Sequence, residues 1–103
     1  MPKHQIDGVV EAVHYTQDGE VDWVRMYLRR GKTFSDHLLV DRRSLIEMLK
    51  SGKKFFSGRR IPLQASTFVL NDLVDIIQNG SSEILVTGKL KAVQDQLDKV
   101  PII

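Results

Sequence analysis

Two β-rich runs, QIDGVVEAVHY (5–15) and EVDWVRMYLRR (20–30), flank a turn signal at Asp18-Gly19, and this pairing constrains the chain more than any other feature. β-branched and aromatic residues fill both runs, and Asp-Gly between such runs marks a β-hairpin. Its register follows from chemistry. Thr16-Gln17-Asp18-Gly19 suits a type I turn with Gly19 left-handed as a bulge, so that Thr16 flanks Glu20 and paired residue numbers sum to 36. Gly8, Val10 and Ala12 then meet Leu28, Met26 and Val24 on an apolar face, while Glu11 faces Arg25 and Asp7 faces Arg29. A slip of one residue would set Glu11 against Met26 and put charge into the apolar row.

On the other face Trp23, Arg25, Tyr27 and Arg29 alternate, with Val13 across from Trp23 and Val9 across from Tyr27. A row of cations and aromatics is a candidate nucleic-acid platform, but here each arginine has a carboxylate beside it. Exposed pairs of that kind contribute only about 0.2–1 kcal/mol, yet they occupy the guanidinium that a phosphate would need. Trp23 and Tyr27 remain a candidate interaction face. They serve either as stacking residues for bases or, more commonly in proteins, as apolar cover under another segment.

Beyond the hairpin, TFSDHLLV (33–40) reads as a third strand and DRRSLIEMLKSG (41–52) as a helix over about 42–51. Asp41 is a candidate N-cap, Ser44-x-x-Glu47 an alternative capping box, Leu45, Met48 and Leu49 one apolar stripe, and Gly52 a left-handed stop. Lys50 agrees with the helix dipole; Arg42 and Arg43, at its positive end, do not. An anion beside them would relieve that conflict, since helix N-termini already attract anions.

KKFFSGRRIPL (53–63) follows as an extended segment broken at Ser57-Gly58, with Pro62 keeping the continuation off a central strand. Phe55 and Phe56 are neighbours, so one points inward and the other outward. STFVLNDLVDIIQ (66–78) and EILVTGKL (83–90) read as a second hairpin turning at Asn79-Gly80. The tail, about 90–103, is either a short helix through Leu90, Val93 and Leu97 or a mobile end, and Pro101 prevents a longer helix. These elements make one mainly β domain over residues 1–103, either a small β-barrel or an α+β roll. It starts with an antiparallel meander of three strands, then one helix, then further antiparallel strands. The order resembles that of the oligonucleotide/oligosaccharide-binding fold, a small partly open barrel plugged by one helix, and the resemblance is one of element order alone.

Charge divides along the chain. Residues 29–60 carry +7 and the remainder −5, which returns the net +2. A local positive field is what draws an anionic partner. The candidate polyanion-binding residues are therefore Arg30, Lys32, Arg42, Arg43, Lys53, Lys54, Arg59 and Arg60, with Phe55 or Phe56 as the stacking aromatic. The competing reading is a charged sheet edge, guarded as natural sheets require.

Other patterns carry no chemistry. Gly31-Lys32-Thr33 resembles the end of a phosphate-binding loop, but the required earlier glycine is Met26. Ser35-Asp36-His37 holds triad residue types, yet on a strand the aspartate points away from the histidine. His4, His14 and His37 match no metal spacing, and the absence of cysteine excludes disulfides and thiolate sites. Asn79-Gly80-Ser81 forms a glycosylation sequon, expected to stay unmodified because MPKHQIDG reads as no export signal. No catalytic or metal-ligating residue and no cofactor is expected. No apolar run is long enough to span a membrane, and a cytoplasmic location is the default expectation. Two functions follow as expectations: binding of nucleic acid or another polyanion through residues 29–60, or protein interaction and assembly. The second would use a strand edge or the Trp23/Tyr27 face to form a homo-oligomer or engage a protein partner.

Overall fold

The first hairpin forms as its turn dictates. In the computed structural model, β1 (Gly8–Tyr15) pairs antiparallel with β2 (Val21–Arg30). The structure describes residues 6–30, 33–60, 68–79, 82–88, 94–97 and 100–103, with the backbone alone at Arg30, Thr33, Arg60, Phe68, Asn79 and Ser82. Thr16 N–H donates to Glu20 O at 2.8 Å, Gly19 N–H donates to Thr16 O at 3.0 Å, and Gly19 has φ +89°. Gly8, Val9 and Val10 meet Leu28, Tyr27 and Met26 in the expected register. Past Val10 the register differs from expectation. A bulge at Glu11 sets Ala12 against Arg25, Val13 against Val24 and His14 against Trp23, and a second bulge at Asp22 restores the pairing at Tyr15 and Val21. The physical reason is packing: a bulge changes the face alternation, and both Val10 and Val13 enter the core fully buried.

The third strand is broken. β3 (Thr33–Phe34) pairs with Arg29 and Arg30, and β4 (Leu38–Asp41) pairs with Trp23–Met26, both along the same edge of β2. Ser35 causes the break by taking over the ladder at Leu28. Its N–H donates to Leu28 O at 2.7 Å, and its Oγ accepts from Leu28 N–H at 3.1 Å.

Helix α1 (Arg42–Lys50) follows directly. Asp41 caps it, its carboxylate accepting from Ser44 N–H at 3.4 Å, so the structure selects this residue over the Ser44-Glu47 box. At the other end Lys53 N–H reaches Met48 O and Gly52 N–H reaches Leu49 O, a Schellman stop with Gly52 at φ +102°. The buried residues of α1 are Leu45 and Ile46, and Met48 and Leu49 pack more loosely at the side. Full burial of a side chain such as Leu45 stabilises the fold by about 1.5–3 kcal/mol.

The element order did not reveal that β5 (Phe55–Arg60) lies parallel to β1, at Gly8–Val10 against Phe55–Ser57. β6 (Phe68–Asn79) and β7 (Ser82–Thr87) complete an antiparallel hairpin whose tip lies outside the described residues. Among the described residues the result is mainly β: one mixed sheet ordered β3-β2-β1-β5-β6-β7, with β4 beside β3 on β2, and one helix. Among the described residues the sheet does not close into a barrel. The core joins α1 to the sheet through Val10, Val24, Met26, Phe55, Val74 and Leu85. The tail, expected as a short helix or a mobile end, makes two isolated strand bridges where it is described. Gln96 bridges to Val86 on β7, and Ile102 bridges to Val13 on β1. Leu90 and Val93 lie outside the described residues.

Candidate functional site

The Trp23–Arg29 row is largely committed within the molecule. Tyr27 is only 7% exposed, with His37 packed edge-on at 6.1 Å. Trp23 is half-buried and stacks on His14, ring centroids 5.0 Å apart. Arg25 Nε pairs with Glu11 Oε1 at 2.8 Å even across the bulge. Each observation favours cover and pairing over a nucleic-acid platform.

The basic segment resolves residue by residue. Arg42, a candidate for phosphate contact, is held by Asp95: Nε to Oδ2 at 2.7 Å and Nη2 to Oδ1 at 3.1 Å, with Nη2 also donating to Glu83 O at 2.6 Å. The anion that the N-terminus of α1 called for thus comes from the chain's own tail. Asp95 accepts two further bonds, from Val21 N–H at 2.8 Å and Leu85 N–H at 3.0 Å. Burial pushes its carboxyl up, but Arg42 and these two amides pull harder, and the net pKa lies below 3.8. The hydrogen bonds and charge of Asp95 in turn raise the Arg42 guanidinium above its ordinary value. Arg43, 88% exposed, lies 3.7 Å from Glu47. Lys50 pairs with Glu83 and holds that carboxyl below its usual range.

Phe55 is fully buried in the core, which removes it as a stacking residue, and Phe56 is half-buried on the opposite face. Lys53, Lys54 and Arg59 are exposed. Lys53 and Arg29 line one small hollow of about 110 Å³ with Asp7. Asp7 also sits between cations in the ladder: Arg29 N–H donates to its carbonyl, and Lys54 N–H donates to its carboxylate at 2.8 Å. Arg59 stands apart, five residues beyond Lys54 along β5, which is about 16 Å at strand rise. The side chains of Arg30 and Arg60, and all of Lys32, lie outside the described residues. Among the described cations, Arg59 therefore lies apart from Lys53 and Lys54.

Two grooves flank α1. The larger, about 650 Å³, lies between α1, the first turn and β7, over Val21 and Ile46. Its rim carries Glu20, Asp22, Asp41, Glu47 and Glu83 against Arg42, Arg43 and Lys50, so its sign is acidic. The smaller, about 420 Å³, runs between the end of α1 and β6, where Lys50, Lys53 and Lys54 share the lining with Asp75 and Glu83.

One surface was visible to sequence reasoning only as a class: the sheet edge. The β7 edge carries the bridge to Gln96. Among the described residues no strand pairs with the outer side of β3 and β4. Leu39, in the middle of β4, is 60% exposed. Asp95 was missed altogether, and its one signal was the misplaced positive charge of Arg42. No family model matches the chain, and comparison with curated proteins and with solved structures also gives no match.

Proposed function

We propose that the chain is a protein-interaction module that engages its partner by accepting a strand along the β4 edge. The observation that carries this reading is Leu39, an apolar residue 60% exposed on an edge strand whose backbone faces outward. An unpaired edge presents a row of amides and carbonyls to another chain, and an added strand satisfies them while side-chain pockets supply selectivity. The test is a photo-crosslinking residue placed at position 39 in cells, with position 18 on the first turn as control. An ultraviolet-dependent protein adduct from position 39 alone is expected. No adduct from position 39, or the same adducts from both positions, would remove the reading.

Binding of a nucleic acid or other polyanion is the second reading, favoured by the exposed Lys53 and Lys54 on the 420 Å³ groove. It calls for oligonucleotide binding at low salt that Lys53→Glu with Lys54→Glu abolishes. With so few cations the log–log salt slope would be only about −2.

A further inference from the structure

Resting on the edge reading above, we infer that the partner is a second copy of the chain, joined antiparallel across β4 about a two-fold axis at Leu39. Register limits how two copies can pair. Opposed residues in a continuous sheet share a face. Leu38 and Val40 turn toward the core while Leu39 turns outward. Symmetric pairing must therefore set Leu39 against Leu39, Leu38 against Leu38, or Val40 against Val40. Centring on Val40 puts Leu39 against Asp41 and runs the ladder into α1, which begins at Arg42. Centring on Leu38 puts Leu39 against His37 and Val40 against Asp36.

Centring on Leu39 pairs Leu39 with its own copy, Leu38 with Val40, and His37 with Asp41 twice over. It is the register in which apolar meets apolar and imidazole meets carboxylate along the whole ladder. Just past the ladder, exposed Asp36 of each copy approaches the start of α1 in the other, where Arg43 is 88% exposed. The segment is thus complementary in charge to its own reverse. The ladder is short, and the interface falls in the small class, below about 1,200 Å², which places the dimer in the weak, concentration-dependent range.

Sedimentation velocity of the purified full chain across a concentration series tests this. The expected mass rises from 11.8 kDa toward twice that value. Leu39→Lys, at an exposed position, should leave far-UV circular dichroism unchanged and the protein monomeric. Asp36→Arg and Arg43→Asp should each weaken association by about tenfold, since each sets like charges together at two symmetric contacts. Mixing these two variants should restore association, because the heterodimer recovers both opposite-charge contacts. A dimer built elsewhere would survive Leu39→Lys, or would not recover on mixing, and either result overturns the inference. A wild-type chain that stays monomeric also overturns it. In that case a crosslink from position 39 to a different protein would leave the edge reading standing, and no crosslink would remove both.

Discussion

Asp95 shows how one side chain can tie distant elements together. Its carboxylate, 1% exposed, receives the amides of Val21 and Leu85 and two bonds from Arg42, so a single residue joins β2, β7, α1 and the tail. Removing one partner of a buried pair leaves the other charge and the amides without an acceptor. Asp95→Ala should cost about 3 kcal/mol, below the full burial figure because Arg42 keeps a quarter of its side-chain exposure. Urea unfolding measures it, and a loss under about 1 kcal/mol would mean that the pair is dispensable. The pH dependence has a definite sign. The folded carboxyl lies below 3.8, so its contribution is present above that pH and is lost as pH falls through the folded value. Asp95→Asn should remove that part of the acid sensitivity. None of this was legible in the sequence, where Asp95 is one acid in a polar tail, 53 residues from Arg42 and 74 from Val21. Asp41 was legible, because a cap acts on an amide three residues away.

At the scale of elements the same contrast between local and distant causes recurs. The first turn, the N-cap and the Gly52 stop depend on neighbours within a few residues, and each formed where its chemistry placed it. The bulge at Glu11 did not declare itself, because it depends on Val10 and Val13 both fitting a core that α1, β6 and the tail complete. The parallel pairing of β1 with β5 was hidden for the same reason. Gly52 offers a test free of packing. A Cβ there would meet nothing within 4 Å, so Gly52→Ala reports only the cost of φ +102°. About 1 kcal/mol of destabilisation is expected, and a D-alanine introduced by synthesis should restore the wild-type midpoint. At Gly58 the problem is one of space, since a Cβ would stand 2.3 Å from Val69 O. Gly58→Ala should therefore disturb the β5–β6 ladder itself.

For the whole molecule, the tail is the element on which integrity turns. β5 leaves β1 after Val10, and the stretch at Val13 is taken up by the C-terminus: Val13 N–H donates to Pro101 O, and Ile103 N–H donates to Val13 O, both at 2.9 Å. Upstream, Gln96 N–H bonds to Leu85 O along β7, and Leu97 N–H reaches the Tyr15 hydroxyl at 3.0 Å. The tail thus passes from the β7 edge to β1 and places Leu97 and Val100 in the core. Two buried aliphatic side chains contribute about 3–6 kcal/mol together, against a total stability of about 5–15 kcal/mol for a domain of this size. A chain ending at residue 93 loses these, the Asp95 junction and the cover over both strands. It should retain β-type far-UV circular dichroism at most partially, bind a hydrophobic dye and lose its sharp thermal transition, with Trp23 emission shifted to the red. A chain ending at residue 99 keeps Asp95 and Leu97 and should melt cooperatively at a lower temperature. If the shorter truncation product unfolded with the wild-type midpoint, the tail would be an ornament on a fold completed by residue 93. The ordering of the two truncations therefore decides whether this sheet is stable by itself or only once its own C-terminus has closed over it.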